Sequence, residues 1–206
     1  SDIPGDMTDD QQSLLDMALR NCDSLVDLVN DFLDYEKIIA GKMALKLIPS
    51  DIGNLAKSTV EANQGLAQLL AVNFRFHADV RPLWATVDPA RYSQILRNLL
   101  SNAAKFSPTG GSVEIAVSLE NSNIRTSVKD SGIGIADTDR SQIFNRFTQI
   151  DASDARQQGG TGLGLAISKS LALGMNGCLD FESTLGEGSV FYFDLPKINP
   201  SNYQDT

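Results

Sequence analysis

The stretch Asn98-Leu99-Leu100-Ser101-Asn102-Ala103-Ala104-Lys105-Phe106 carries most of the information in this chain. Its leucines and alanines recur at helical spacing, and Asp88-Pro89 upstream supplies a cap and a proline at the first helical position. The helix starting there is expected to bury Ile95, Leu96, Leu99, Leu100 and Ala103. Asn98 and Asn102 are four apart and share the opposite face, with Gln94 one turn before and Lys105 and Phe106 one turn beyond. A row of amides ending in a lysine offers neutral oxygen ligands, N–H donors and a point charge, a set suited to phosphates that arrive with a magnesium ion.

Two later segments complete the pattern. Asp130-Ser131-Gly132-Ile133-Gly134 places a carboxylate at a strand end beside a glycine turn. Such a carboxylate can accept from the exocyclic amine of adenine, where guanine presents an oxygen. Gly159-Gly160-Thr161-Gly162-Leu163-Gly164-Leu165 opens a helix, whose free N–H groups suit phosphate oxygens. It neither follows a strand nor contains Gly-Lys-Ser/Thr, which argues against a Rossmann site or a P-loop. In this order the three segments describe a purine-nucleotide pocket with a metal-bound triphosphate.

Outward from these segments, the chain reads as alternating helices and mostly antiparallel strands without a regular βαβ rhythm. Residues 8–40 form one long helix, opened by a capping box at Thr8 and Gln11 and stopped at Gly41. Leu15, Ala18, Cys22, Leu25, Val29, Phe32 and Ile39 follow a heptad seam that Glu36 interrupts, and Leu19, Val26 and Leu33 widen it. So broad an apolar face needs a partner helix. Met43–Ile48 reads as a short strand. A second helix, capped by Ser50 or Asp51, runs to about Leu70; Asn73–Ala78 and Trp84–Val87 are strands. The segments 112–119 and 124–129 form a hairpin around Asn121-Ser122-Asn123. A helical stretch reaches Ile143 and Phe144, residues 149–160 form a polar loop, and 163–175 is a helix ending near Gly177. Strands 178–182 and 189–195 close around Gly186-Glu187-Gly188, and the tail after Pro196 is expected to fray. The fold class is α+β, a two-layer sandwich with three helices on one face of a mixed sheet and the first helix standing outside it.

Bulk properties bound the function. With 206 residues and a net charge of −9, a non-specific nucleic-acid binder is disfavoured. Cys22 and Cys178 are too few and too distant for a disulfide framework, and each is expected to pack as a small apolar residue. No run is long enough to span a membrane. His77, the single histidine, sits in an alternating stretch with no ligand cluster around it and reads as an ordinary strand residue. Ser1-Asp2-Ile3-Pro4-Gly5-Asp6 reads as a loop remnant, so a piece of a longer protein is expected.

The three segments resemble the ATP-binding domain of sensor histidine kinases, in the group that includes gyrase, Hsp90 and MutL. Residues 98–106 look like the N box, 130–134 the first glycine box, 143–147 the F box, 160–165 the second glycine box and 186–191 the closing turn. The resemblance implies a Bergerat-type fold over 43–196, after residues 1–42 and before a tail at 197–206. Leu25–Lys37 and Ala40-Gly41-Lys42-Met43 resemble the second helix of the dimerisation and phosphotransfer domain, whose preceding helix would carry the acceptor histidine; His77 does not match that position.

By the same resemblance, Asn98 would hold Mg²⁺, Asn102 and Lys105 would contact phosphate, and Phe106 would pack by the adenine. Asp130 would bind the adenine amine, with Ser189 helping through water, above a floor shaped by Gly132, Gly134 and Ile135. Gly160, Thr161, Gly162, Leu163 and Gly164 would form the hinge and phosphate turn of a lid, anchored by Phe144 and Phe147. Gln94 stands where other branches place a water-activating glutamate, so plain ATP hydrolysis should be slow. Gln149 stands where some histidine kinases place an arginine, a role for which Arg146 or Arg156 could substitute. The implied activity is transfer of the γ-phosphate of Mg-ATP to a histidine outside this chain, for relay to a response-regulator aspartate. The implied partners are a second copy of the full-length kinase and a receiver domain, on the cytoplasmic side whether or not the parent is membrane-anchored. The alternative is a nucleotide-sensing pseudokinase or dimerisation module without phosphotransfer.

Overall fold

The computed structural model describes residues 8–146 and 162–199. The chain divides into two compact units, residues 1–43 and 44–206. The first is the helix α1 (Asp9–Ile39), started by the expected capping box: Thr8 accepts from the Gln11 amide, and the Gln11 side chain accepts from the Thr8 N–H. It ends on Ala40, with Gly41 in the left-handed region at φ 62°. Leu15, Leu19, Leu25, Val26, Val29, Phe32 and Leu33 are all exposed along it. Cys22 is exposed as well, and so is Cys178 in the second unit, so neither thiol is the packed apolar residue expected.

The second unit begins with a departure from expectation. Residues 43–47 form no strand; β1 is Ile48–Asp51, paired antiparallel with β3 (Trp84–Val87) in a small two-stranded sheet. Pro49 confines β1 to this edge role, since it lacks a donor for a second partner. Instead of joining a strand, the backbone N–H of Lys46 donates to the Asp88 carboxylate at 2.9 Å. Asp51 caps α2 (Ile52–Ala62) through the Gly53 amide. The helix does not run on to Leu70: Asn63 turns its side chain back onto the Thr59 carbonyl and interrupts it, and α3 (Gln64–Leu69) follows as a separate short helix.

The main sheet has five strands in the order β2 (Asn73–Ala78), β4 (Ser112–Glu120), β5 (Asn123–Asp130), β7 (Gly188–Pro196) and β6 (Cys178–Thr184). Only β2 and β4 run parallel. Alternation decides the buried face. Ile115, Val128, Phe191 and Phe181 stand in one cross-strand row, and Val117, Thr126, Phe193 and Leu179 in the next, all buried. The other face carries Arg125, whose guanidinium makes two hydrogen bonds to Asp194 at 2.8 and 2.7 Å and lies 3.8 Å over the Tyr192 ring. His77 is exposed on β2, as read.

Two helices matter most to the site. α4 (Pro89–Phe106) is capped by Asp88, which accepts from the Ala90 and Arg91 amides. It buries Ile95, Leu96, Leu99, Leu100 and Ala103, together with Tyr92, whose hydroxyl pairs with Thr126 at 2.8 Å. Each of those large side chains contributes about 1.5–3 kcal/mol of burial. α5 (Gly164–Gly174) stops in a Schellman pattern, with the Gly177 N–H on the Ala172 carbonyl and the Asn176 N–H on the Leu173 carbonyl. Asn176, not Gly177, takes the left-handed conformation there. Gly177 is required instead because a side chain would strike the Asp194 carbonyl.

Two further expectations change. Residues 136–145 are not a helix but a chain of i→i+3 turns, linking Asp139 to Ala136, Gln142 to Asp139 and Asn145 to Gln142. The tail is tied down at its start, since Ile198 donates to the Trp84 carbonyl and Lys197 to that of Ser122. The interval 147–161 lies outside the described residues, and with it Phe147, Gln149, Arg156, Gly160 and Thr161. No helix among the described residues is long and apolar enough to cross a membrane.

Candidate nucleotide site

The site is built where α4 meets the ends of β5, β6 and β7 and the start of α5. One end is made by the sheet. Asp130, the last residue of β5, is buried, and its Oδ1 accepts from the Gly132 N–H at 2.8 Å. Burial pushes its carboxyl above the usual range, and the backbone N–H groups of Gly132 and Ser189 partly offset this. The glycines of this turn are required by close approach. A Cβ on Gly132 would lie 2.5 Å from the Phe106 carbonyl oxygen and 2.8 Å from Asp130 Oδ1. Gly134, at φ 68°, presses against the Thr184 carbonyl. Phe106 itself is exposed beside this turn, so the end of α4 and the glycine turn come together as expected.

Across the sheet, Asp130 is in register with Ser189, and Ser189 with Ser183. The Ser183 hydroxyl accepts from the Ile135 N–H at 2.8 Å, donates to the Gly188 carbonyl at 2.9 Å and lies 2.9 Å from the Ser189 hydroxyl. One hydroxyl proton cannot be donated twice, so Ser189 donates to Ser183 and keeps its own oxygen as an acceptor. Ser183 went unnoticed in the sequence. Counting register outward from Gly186-Glu187 would have placed it opposite Ser189. Arg140 braces the same corner, donating to the Ser183 carbonyl at 2.9 Å.

The other end is made by helices. Asn98 and Asn102 are half-buried on one face of α4, with Lys105 half-buried one turn on. Burial lowers the Lys105 pKa. Gln94 extends the row, its Oε1 accepting from Arg91 at 2.7 Å, and as an amide it has no basic group to offer a water. Asn98 Nδ2 donates to the Ser168 hydroxyl on α5 at 3.0 Å, and the Asn98 amide oxygen lies against Gly164. Of the second glycine segment, Gly162 is in the left-handed region at φ 68° and Leu163 is buried. Below, Phe144 meets Phe181 edge-on at 5.9 Å, Phe181 stacks on Phe191 at 5.3 Å, and Lys169 lies 4.2 Å over the Phe144 ring. The structure thus brings together Gln94, Asn98, Asn102, Lys105 and Phe106 on one wall, Asp130, Gly132, Gly134, Ile135 and Ser189 on the floor, and Gly162, Leu163 and Gly164 at the start of α5.

Residues 87–199 match the family model for histidine kinase-, DNA gyrase B- and HSP90-like ATPases. The chain belongs to this family. Within it, the chain is similar to sensor kinases. It is 39% identical over 197 residues to the circadian input-output histidine kinase CikA of Synechococcus elongatus, covering 94% of this chain and 26% of that protein. It is 35% identical over 204 residues to the signal transduction histidine-protein kinase BarA of Escherichia coli, covering 95% and 22%. Among solved structures, full-length ShkA in complex with AMPPNP superimposes with a TM-score of 0.78 at 31% identity, over 94% of this chain and 40% of that one. The chain therefore spans about a quarter of the length of these curated relatives. It carries the ATPase-family domain that sensor histidine kinases share, and their structures share its five-stranded sheet and covering helices.

Proposed function

We propose that this chain is the ATP-binding catalytic portion of a two-component sensor histidine kinase, which transfers the γ-phosphate of Mg-ATP to a histidine outside these residues. The observation that carries the reading is the pairing of a buried carboxylate, Asp130, at one end of the site with the Asn98–Asn102–Lys105 row at the other. Asp130 accepts from the adenine amine, and the Ser189 oxygen, kept as an acceptor, holds a water beside it. Asn102 and Lys105 meet the phosphate oxygens, and the free N–H groups at the start of α5 add to them. ShkA, solved with an ATP analogue, supports nucleotide binding here.

The residues also fit a magnesium ion that arrives with its nucleotide. Asn98 Oδ1 is a neutral oxygen with no hydrogen-bond donor among the described residues. No group of three histidines, cysteines or carboxylates that could cage a metal occurs among them. A hard cation held by one or two protein oxygens and by phosphate and water is the magnesium pattern. When bound, the ion neutralises charge on the phosphates; the chain's own part is to hold the triphosphate extended and its end exposed. In the transfer, the attacking imidazole nitrogen forms a bond to the γ-phosphorus as the bond to the β–γ bridging oxygen breaks, and ADP leaves. Positioning and charge stabilisation suffice for such chemistry. Gln94, an amide, leaves water unactivated and so protects the phosphate for the histidine.

Residues 1–42 act, in this reading, as the second helix of a dimerisation and phosphotransfer bundle, with 43–196 as the ATP-binding domain and 197–206 as a tail. The exposed apolar stripe of α1 supports it, because such a stripe needs partner helices. The partners are then a second copy of the kinase and a receiver domain. The test is to incubate the chain with γ-labelled ATP, Mg²⁺ and a polypeptide bearing the acceptor-histidine helix. Labelled phosphohistidine is expected, and its absence under every metal condition overturns the kinase reading.

A further inference from the structure

We propose that Arg140 is a positioning residue for the base end of the site, stapling the segment after the glycine turn to β6 so that Ile135 stays in the floor. The inference rests on the adenine role given to Asp130 above and extends it to a residue outside the nucleotide-contacting set.

Both ends of the segment 135–140 are tied to one residue, Ser183. The Ile135 N–H donates to the Ser183 hydroxyl at 2.8 Å, and the Arg140 guanidinium donates to the Ser183 carbonyl at 2.9 Å. The direction of each bond is fixed, because a backbone N–H and a guanidinium can only donate. β6 is an edge strand of the five-stranded sheet, so what lies beyond it is held by individual contacts rather than by a ladder.

The glycine turn has one anchor at its start, where the Gly186 N–H donates to the Ile133 carbonyl at 2.8 Å. Residues 135–140 form neither helix nor strand, and among the described residues their internal backbone bonding is the turn from the Asp139 N–H to the Ala136 carbonyl. Without Arg140, the bond at Ile135 would be the last of its row and would open as row ends do. With it, Ile135 lies inside a closed loop. The guanidinium is itself held, 5.1 Å over the Phe181 ring, which stacks on Phe191 at 5.3 Å. Its ion pair with Asp137 at 3.5 Å matters less, since the Asp137 side chain is 95% exposed. Ser183 in turn lies against the Ser189 hydroxyl, and Ser189 is in register with Asp130. The staple therefore fixes Ile135 against the strands whose register places Asp130. Losing it should disturb the floor under a base and leave the phosphate end, built on α4 and α5, as it is.

The experiment compares calorimetric affinity for ATP and for inorganic tripolyphosphate, both with Mg²⁺, so that the share of binding owed to the base is read separately. Arg140→Met, which keeps an apolar stem on Phe181 but no donor, should weaken ATP by about 3- to 10-fold, the worth of one hydrogen bond, and leave tripolyphosphate unchanged. In the nucleotide-free chain the same substitution should speed hydrogen exchange at the Ile135 amide, and thermal melting verifies the fold. Asp137→Ala should change neither affinity. Equal weakening of both ligands, or weaker ATP with an unaltered Ile135 amide, overturns the proposal, and so does a loss in Asp137→Ala as large as that in Arg140→Met. If Asp130→Asn leaves ATP affinity unchanged, the adenine reading falls and takes this one with it. If Asp130→Asn weakens ATP and Arg140→Met does not, the role of Arg140 alone falls.

Discussion

The two ends of the nucleotide site are held by different means. At the adenine end, positions follow from strand register: Asp130, Ser189 and Ser183 stand side by side because β5, β7 and β6 pair in that order. Backbone groups do most of the bonding, through Gly132, Ile135 and Gly188. At the phosphate end, the amide row stands on one helix and is braced by another, Asn98 donating to the Ser168 hydroxyl. The sheet end is rigid by construction, since moving one residue means moving a ladder. The helix end depends on how two helices sit against each other. In the proposed reading, recognition of the base is thereby separated from placement of the phosphates, and each should be breakable without the other.

Four substitutions or conditions probe that separation, in decreasing order of effect. Gly134→Ala should do the most harm, because it adds a Cβ where the Thr184 carbonyl already sits and at a φ of 68°. Loss of ATP binding together with a destabilisation on the order of 3 kcal/mol or more is expected by thermal melting, strain and overlap adding together. Next, Asp130→Asn should preserve the fold and weaken ATP about 10- to 100-fold, the worth of a hydrogen bond to a charged group, with equal loss in Mg²⁺ and in chelator. Asn98→Ala should do the converse, leaving affinity in chelator intact and removing the Mg²⁺ gain, about 10-fold for one ligand oxygen and its charge interaction. A loss in Asp130→Asn that depended on Mg²⁺ would mean the two ends are coupled.

The smallest effect concerns pH. In the proposed role Asp130 binds adenine as a carboxylate, and its pKa in the fold is raised by burial. ATP affinity should therefore decline on the acid side at a higher pH than an exposed aspartate would dictate, measurable by titrating binding between about pH 4 and 8. The stability of the nucleotide-free fold has the opposite trend. The folded state holds this proton more tightly than the unfolded chain, so stability falls as pH rises from the unfolded pKa through the folded one, and is flat beyond it. Asp130→Asn should remove both trends.

Much of this was legible in the chain, for reasons that differ by element. α4 was read to its cap and its buried face because Asp88-Pro89 and the leucine spacing speak to the same helix. The strands Asn73–Ala78 and Trp84–Val87 were bounded by turn residues and came out as read. Where expectation failed, a tertiary or side-chain contact had overridden local pattern. The apolar run at 43–48 looked like a strand, but Pro49 limits pairing and Asp88 takes the Lys46 N–H. The helix after Asp51 was broken by the side chain of Asn63, which no periodicity reports. Within the site, the residues proposed to touch a nucleotide were named from motif, whereas Ser168 and Ser183, which bond to Asn98 and Ser189, depend on distant register and packing and were missed.

Asp88 closes α4 and also holds the Lys46 amide, 42 positions earlier in the chain. In exchange experiments this makes Lys46 informative. Its N–H lies in a stretch with no helix or strand of its own, where amides normally trade their hydrogens for solvent deuterium quickly. Slow uptake at Lys46 would report that the start of α4 is closed, and faster uptake would register its opening, from a residue well outside the nucleotide pocket.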